Sequence, residues 1–343
     1  MYKILKKILF SMDAEVAHEA IINLCHYYPH FAEFLGRKHK ATDNFKLRVG
    51  SNDWTFPVGL AAGLDKNGSC YPFLSHLGFG AVEVGTVTPL AQAGNERPRL
   101  FRIVEEESLR NSMGFNNHGS GQMMASLKRL NLRHVPLGVN IGKNKQTPDD
   151  LAFEDYAKLF ECFKDLCDYT VINVSSPNTP GLRSHQTTEG LEQIIGGLGD
   201  FKGHDLFVKI APDIDSEQLR EICEVAKKYQ LTGIIATNTT AMPEVGAGGV
   251  SGKMLFEKSK QVRLKCLEYL RETPEVNLIG VGGFSSFEQM KDYWKEGGRA
   301  IQIYSSFIFK GPQMLRELEG QLEAEFGIYD VKNFEEYLLA IRD

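Results

Sequence analysis

Short runs of apolar residues recur along most of the chain, and each is followed by a longer segment with the apolar period of a helix. Each short run ends in Gly, Asn, Thr or Ser, which are typical of strand ends and turns. Strands that alternate with helices form parallel sheets with right-handed crossovers, and eight such units indicate a closed (β/α)8 barrel, the α/β architecture called a TIM barrel. The pattern predicts its eight strands at 58–65, 81–88, 137–142, 170–175, 206–211, 233–239, 277–283 and 300–305.

Two stretches between the predicted strands are too long or too irregular for a single crossover helix. Residues 89–133 follow the second strand, and residues 240–253, which are rich in Gly and contain Pro243, follow the sixth. Barrels place lids and substrate loops at the carboxyl ends of their strands. We therefore expect both insertions at that end.

The first 40 residues differ from the rest in pattern and in charge. Six Lys or Arg residues against four acids give this segment a charge of +2, in a chain of net charge -5. Amphipathic helices cover a core or lie on a membrane surface, and the pattern alone allows both. We predict a small N-terminal helical extension over residues 1–40 and a barrel over residues 41–343. The extension's apolar faces are formed by Leu5, Ile8, Leu9 and Met12, by Val16, Ala17, Ala20, Ile21 and Leu24, and by Phe31, Phe34 and Leu35.

Composition argues against several classes of protein. The 343 residues are 42% apolar and 24% charged, as in soluble globular proteins. The net negative charge, with no basic run interleaved with aromatics, argues against a nucleic-acid partner. There is no run of 18 apolar residues, no secretory leader pattern and no Cys-x-x-Cys pair among the six Cys residues. We expect no metal site, because Ile22 stands where a zinc-protease motif starting at His18 needs its second His.

Polar side chains follow the predicted strand at 170–175. Asn173 and Asn178 each offer a hydrogen-bond donor and an acceptor, which suits the edge of a planar heterocycle, and Ser176 lies between them. An ordinary turn rich in Ser, Asn and Pro is the alternative interpretation of residues 173–181.

The other predicted strands also end in small or polar residues, at 61–66, 85–86, 140, 209, 237–239, 282–283 and 304–305. Any one of these could be a helix cap or a turn, but eight together indicate a site at the carboxyl ends. Gly282 and Gly283 after the seventh strand, with Tyr304 and Ser305 at the eighth, occupy the position where barrels bind phosphate. The sequence therefore predicts a phosphorylated cofactor. A dinucleotide fold is improbable, because residues 280–285 lack the final glycine of its fingerprint.

Seven motifs are spread along the chain: AAGLDK at 61–66, NSMGFN at 111–116, NVSSPNTPG at 173–181, KIAPD at 209–213, ATNTT at 236–240, GGVSG at 248–252 and QIYS at 302–305. Together they resemble the dihydroorotate dehydrogenase family nearly end to end. The soluble class of that family carries Cys as its active-site base, whereas this chain has Ser176 there, as in the membrane-associated, quinone-dependent class. That class also has a helical N-terminal extension.

The resemblance implies FMN as cofactor and oxidation of (S)-dihydroorotate to orotate in pyrimidine biosynthesis, with Ser176 as the base on a lid around 176–185. Lys209 would lie by the N1 and O2 edge of the flavin and favour its reduced form, with a structural lysine as the alternative. The expected cofactor residues are Ala62, Gly63, Leu64, Asp65, Lys66, Thr86, Asn140, Asn173, Lys209, Thr237, Gly252, Gly283, Tyr304 and Ser305. The expected substrate residues are Lys66, Asn111, Ser112, Met113, Gly114, Phe115, Asn173, Asn178, Asn238 and Thr239.

The resemblance also implies that a membrane quinone reoxidises FMN through the N-terminal helices, with Arg102 and His18 near the quinone. The protein would then be a monomer on the cytoplasmic face of a bacterial inner membrane. One departure is Ser112, which replaces an Arg common in the family. Two alternatives remain at this stage: a soluble enzyme that uses fumarate or NAD, whose base would be Cys, and a flavin-binding or membrane-docking module without catalysis.

Overall fold

The computed structural model describes residues 2–36, 43–130 and 132–342. The predicted domain boundary at residues 40 and 41 lies outside the described residues, as do Arg37, Lys38 and Lys40.

The barrel predicted from the sequence is confirmed. Every predicted barrel strand is present, but each ends one to five residues earlier than expected at its carboxyl end, because the polar residues there leave the sheet and form loops. The strands are β1 (Leu47–Val49), β2 (Asn52–Trp54), β3 (Val58–Leu60), β4 (Val82–Val87), β5 (Leu100–Ile103), β6 (Ser108–Asn111), β7 (Leu137–Ile141), β8 (Tyr169–Asn173), β9 (Asp205–Ile210), β10 (Gly233–Ala236), β11 (Thr240–Ala241), β12 (Gly249–Gly252), β13 (Asn277–Gly280) and β14 (Ala300–Ile303). The eight barrel strands are parallel and close in the order β3-β4-β7-β8-β9-β10-β13-β14.

Helices surround the barrel and bury one face each. In the helix at 216–228, Leu219, Ile222 and Ala226 recur at helical spacing and are buried, and the Asp215 side chain caps its first turn by accepting from Gln218 N. The helices are α1 (Tyr2–Ser11), α2 (Ala14–Tyr27), α3 (Ala32–Leu35), α4 (Tyr71–Ser75), α5 (Gly119–Leu127), α6 (Ala152–Phe163), α7 (Thr188–Gly197), α8 (Ser216–Lys228), α9 (Phe256–Tyr269), α10 (Phe287–Lys295), α11 (Ser305–Lys310), α12 (Gln313–Tyr329) and α13 (Phe334–Ala340).

The two long insertions meet in one antiparallel sheet, ordered β11-β12-β6-β5. Residue by residue, β12 pairs with β6, so that Gly249 lies opposite Asn111 and Gly252 opposite Ser108. The sequence predicts two separate loops, because nothing local in it indicates pairing between segments so far apart. This sheet carries Asn111 and Gly252 to the carboxyl end of the barrel.

The N-terminal helices pack beside the same end. Phe10 of α1 stacks edge-on against Phe309 of α11, with 5.4 Å between ring centroids. On α2, Ala14, Ala17 and Cys25 face the protein. The predicted second face is therefore only partly right: Val16 and Leu24, which belong to it, are exposed. The part of the chain that is described contains no helix long and apolar enough to cross a membrane.

A buried ion pair fixes α2 to the insertion after β4. Glu15 is 3% exposed and Arg99 is 4% exposed, with Arg99 Nη2 at 2.7 Å from Glu15 Oε1. Burial alone would raise the pKa of the Glu15 carboxyl, but the hydrogen bond and charge of Arg99 outweigh burial and hold this pKa below its usual value. Glu15 therefore stabilises the fold above about pH 4.3, the ordinary Glu pKa, and this contribution is lost as pH falls through the lower folded-state value.

We expect Glu15→Gln to lower the free energy of unfolding by about 3 to 5 kcal/mol at neutral pH, because Arg99 is left buried and unpaired. Chemical denaturation measures this. Glu19→Gln is the matched control: Glu19 is half-exposed and pairs with Arg97, so its loss should cost less than about 1 kcal/mol. Equal effects of the two substitutions would contradict the assignment.

Candidate active site

A deep cleft opens at the carboxyl ends of the barrel strands, between them and the sheet formed by the insertions. It encloses about 1330 Å³ of space between atoms, counted to its open mouth. Most of the residues predicted for the site line it together: His18, Ala62, Gly63, Lys66, Thr86, Asn111, Met113, Gly114, Phe115, Asn173, Ser176, Asn178, Lys209, Thr237, Asn238, Thr239, Gly252, Gly283, Tyr304 and Ser305.

Three predicted cofactor residues lie behind this lining. Asp65 accepts hydrogen bonds from the backbone N–H groups of Ser69 and Cys70, at 3.0 and 2.7 Å, and so folds the loop that follows Lys66. The carbonyl of Leu64 contacts His18 Nε2 at 2.7 Å. Asn140 is fully buried under the cleft floor. These residues shape the cleft from outside.

Ser112 and Arg102 also lie outside the lining. The backbone N–H of Ser112 donates to the Arg99 carbonyl at 2.8 Å, so the backbone, not the short side chain, fixes this turn. Arg102 donates to the carbonyls of Met12 and Leu9, at 2.8 and 3.1 Å, and its guanidinium lies over the Phe10 ring. Arg102 therefore joins the end of α1 to β5.

Side-chain amides form a directed chain across the floor of the cleft. Asn140 Oδ1 accepts from Thr86 Oγ1 at 2.5 Å and from Asn173 Nδ2 at 2.9 Å. Asn173 Oδ1 in turn accepts from Ser175 Oγ at 2.9 Å, which itself accepts from Asn238 Nδ2 at 2.9 Å. Each amide is thereby held in one orientation, which is what a site that reads a heterocycle edge requires.

The wall opposite the barrel is built around Ser176. This side chain is 6% exposed, and its Oγ accepts from Asn178 N at 3.2 Å. Asn178 Nδ2 donates to Asn111 Oδ1 at 3.2 Å, which connects the Ser176 segment to β6. A hydroxyl and two amides therefore face the cleft from one rigid wall.

Arg183 holds the segment that carries Ser176 through three hydrogen bonds. Its Nε donates to the Ser175 carbonyl at 3.0 Å, its Nη2 to the Thr239 carbonyl at 2.8 Å, and its Nη1 to Asp213 Oδ2 at 2.7 Å. Burial opposes ionisation of Asp213, but hydrogen bonds from Lys258 and Thr240, together with Arg183, hold its pKa below the usual value. The planar guanidinium thus ties the ends of three strands together.

We expect Arg183→Lys to slow reduction of the bound cofactor by substrate at least about tenfold, because an ammonium cannot hold three acceptors in one plane. Stopped-flow kinetics under saturating substrate measure this rate. Arg133→Lys is the control: Arg133 is a surface residue paired with Asp168 at the far end of the barrel. Unchanged kinetics in the Arg183→Lys protein would show that the hydrogen bonds of Arg183 do not position Ser176.

The sequence did not single out several residues that also line the cleft. Ser251 Oγ lies 2.8 Å from Ser305 Oγ, and within the described part of the chain Ser306 Oγ is buried without a hydrogen-bond partner. Lys253 pairs with Glu107 at 2.9 Å near the mouth. Their places in the sequence could have identified two of them, since Ser251 lies inside the GGVSG motif and Ser306 directly follows Ser305.

These features fit the FMN expected from the sequence. Gly63 has a φ of +111°, and a Cβ added there would meet only Tyr304, at 3.4 Å. Such a Cβ would project into the cleft, so the glycine leaves space there for a flat ring. Gly283 follows β13, and Ser305 and Ser306 follow β14, its neighbour in the barrel, with Ser251 Oγ 2.8 Å from Ser305 Oγ. The Ser306 hydroxyl, which has no partner among the described residues, is available to a phosphate. Lys209 supplies a cation at the floor, 5% exposed. The donor set therefore matches a ring at one end and a phosphate at the other.

Two basic side chains at the cleft edge, Lys66 and His18, have pKa values below their usual range. Burial lowers the pKa of Lys66 to about 8. Burial, and next the charge of Lys66, lower the pKa of His18 to about 4. At neutral pH Lys66 therefore carries its charge and His18 is neutral.

The chain is similar to known proteins along nearly its whole length. The family model described as dihydroorotate dehydrogenase matches residues 45–326. The dihydroorotate dehydrogenase (quinone) of Idiomarina loihiensis is 39% identical to this chain, and the match covers 94% of this chain and 100% of that protein. The protein of the same name from Legionella pneumophila strain Corby is 40% identical, and that match also covers 94% of this chain and 100% of that protein. The crystal structure of the Eimeria tenella enzyme in complex with ferulenol is 30% identical, with a TM-score of 0.84 over 96% of this chain and 97% of that one. The chain belongs to the dihydroorotate dehydrogenase family.

Proposed function

We propose that this protein oxidises (S)-dihydroorotate to orotate in pyrimidine biosynthesis, using FMN and passing electrons to a quinone. One observation carries the proposal: Ser176 and the amide wall face Lys209 and the glycine- and serine-lined end across a single cleft. A base and an electron acceptor on opposite faces of one ring are what this oxidation needs. Support also comes from the relatives of the quinone-dependent class.

The reaction removes a proton from C5 and a hydride from C6 of the substrate ring. FMN, when bound, supplies the acceptor for the hydride. Ser176 Oγ takes the C5 proton, and its near-complete burial keeps water from competing. Because a hydroxyl is a weak base, the proton needs a polar route onward, which the segment around Ser176 and Asn178 supplies.

Substrate binding divides between charge and amide pairing. Lys66 meets the substrate carboxylate, while Asn111, Asn178 and Asn238 pair with the ring amides. Met113, Gly114, Phe115 and Thr239 complete the substrate pocket, with Ser112 contributing its backbone. On the cofactor side, Lys209 and Thr237 hold the ring, and Gly252, Gly283, Tyr304 and Ser305 surround the phosphate.

Residues 1–40 form the quinone-access unit in this proposal, and the barrel that follows is the catalytic domain. His18 lines the cleft, as do the apolar residues Leu100, Leu109 and Leu255. Being neutral, with Nε2 donating to the Leu64 carbonyl at 2.7 Å, His18 presents an uncharged ring to the quinone, and Arg102, held by the Met12 carbonyl, is the cation near it. Ile4, Ile8 and Phe34 are 71%, 58% and 75% exposed, which suits contact with a membrane surface. We place the protein on the cytoplasmic face of a bacterial inner membrane, as a monomer.

We expect binding of orotate, the product, to weaken by about tenfold per pH unit above pH 8, because Lys66 then loses its charge. Titration of the flavin absorption with orotate measures the dissociation constant. A Lys66→Met protein should bind orotate weakly at every pH. Lys145→Met, which removes an exposed lysine outside the lining, should keep the wild-type profile; a profile that is flat through pH 9 in the wild-type protein would rule Lys66 out.

Steady-state assays with dihydroorotate and different electron acceptors test the proposed function. We expect turnover with a soluble quinone and none with fumarate or NAD. Turnover with fumarate or NAD but not with quinone would favour the soluble class. No turnover with any acceptor by FMN-loaded protein would favour a flavin-binding module without catalysis.

A further inference from the structure

A carboxylate lies inside the barrel directly behind the cleft. Glu83 is on β4, and its side chain is fully buried. Its Oε1 accepts from Asn140 Nδ2 at 2.8 Å, and its Oε2 accepts from Gln302 Nε2 at 2.7 Å. Lys209 Nζ lies 3.5 Å from Oε1. Side chains from β7, β9 and β14 therefore converge on one negative charge.

Glu83 restrains the position of Lys209. Among the described residues, Glu83 is the one carboxylate within ion-pair distance of the Lys209 ammonium. Both side chains are at most 6% exposed, and separating a buried pair leaves each charge uncompensated. Lys209 is thus held at the floor of the cleft and cannot extend freely toward its mouth.

Glu83 also sets the direction of the amide chain above it. Because an ionised carboxylate only accepts hydrogen bonds, Asn140 must turn its Nδ2 toward Glu83. Its Oδ1 then faces the other way and accepts from Thr86 and Asn173. The orientation of two cleft residues therefore follows from a residue that does not line the cleft.

We propose that Glu83 is a positioning residue that holds Lys209 beneath the flavin and, by its own charge, lowers the reduction potential of the flavin. A bound flavin that took up two electrons and one proton would gain one negative charge. Lys209 would stabilise that charge and Glu83 would oppose it. This inference rests on the proposed function only for the binding of FMN beside Lys209.

A redox titration of the FMN-loaded protein against a reference dye, with dithionite as reductant, tests the proposal. Glu83→Gln should raise the equilibrium constant for reduction at least tenfold, which is about 30 mV for a two-electron couple. Lys209→Met should lower it by a similar factor. General loosening of the barrel would change the equilibrium constant in the same direction in both variants, so opposite changes would exclude it.

Glu83→Gln keeps the shape of the side chain, and Gln302 can turn its amide to pair with it, since Gln302 Oε1 has no hydrogen-bond partner within the described residues. Gln302→Leu is the control: it removes one hydrogen bond to Glu83 but no charge, and should shift the constant far less. An unchanged constant in Glu83→Gln, or a shift in the same direction as Lys209→Met, would overturn the proposal.

If the Glu83→Gln protein does not hold flavin, the double variant Glu83→Gln/Lys209→Met replaces it, because it buries no unpaired charge. The equilibrium constant for flavin reduction in the double variant should be higher than in Lys209→Met. An equal or lower constant would overturn the proposal. Dithionite reduces any bound flavin, so the titration gives a result even if dihydroorotate proves not to be a substrate.

Discussion

We expect the Ser176→Ala protein to stay yellow while dihydroorotate reduces its flavin ~10² to 10⁴ times more slowly, the range that a general base contributes. The physical reason is that the neighbouring hydroxyl of Ser175 cannot replace the lost proton acceptor. Ser175 Oγ is fully committed to Asn173 and Asn238. Anaerobic stopped-flow absorbance measures the rate.

Two further variants separate the base from the lid that carries it. Ser184→Ala removes an exposed hydroxyl of the same segment, which donates to the Gly181 carbonyl, and should reduce its flavin at the wild-type rate. Ser176→Cys should recover part of the lost rate and shift the rate profile to lower pH, because a thiol ionises near pH 8.5. If Ser184→Ala slowed flavin reduction as much as Ser176→Ala, the lower rate would come from disturbance of the lid and not from loss of the base.

Removal of residues 1–40 should lower quinone reduction by more than about tenfold and abolish sedimentation with vesicles, because the truncated protein lacks the apolar surface of α1–α3. The truncated protein should still be bleached by dihydroorotate, since the described residues that face the substrate in the proposal belong to the barrel and its insertions. Quinone reduction at the full rate by the truncated protein would refute the role of this segment.

A matched pair of point variants tests the membrane contact without disturbing the packing of α2. Phe34→Glu places a charge on an apolar side chain of α3 that is 75% exposed, and should weaken sedimentation with vesicles. Leu339→Glu does the same on α13, where Leu339 is 67% exposed, and should have no effect. Equal loss in both variants would show that the N-terminal face has no special role.

The eight barrel strands could be predicted from the sequence because each is short, apolar and ended by a polar or small residue. The site followed from those ends, since parallel strands of a barrel all deliver their carboxyl ends to one place. The N-terminal face was harder. Small residues such as Ala14 and Ala17 are the ones that are buried, while the larger Val16 and Leu24 are exposed.

Long-range pairing could not be predicted. The sheet of β5, β6, β11 and β12 joins two insertions that lie more than a hundred residues apart, and neither shows a hairpin partner for the other in its local sequence. Glu83 was missed for a related reason. A single acid in a buried strand gives no signal of which residues meet it, and its partners Asn140, Lys209 and Gln302 come from three other strands.

The visible absorption spectrum of the purified protein, recorded without air before and after addition of dihydroorotate, decides whether a flavin in this cleft oxidises dihydroorotate. We expect the yellow spectrum of bound flavin, its loss on addition of dihydroorotate and its return on addition of a quinone. A colourless protein that cannot be reconstituted with FMN, or a yellow protein whose spectrum dihydroorotate leaves unchanged, would contradict this expectation.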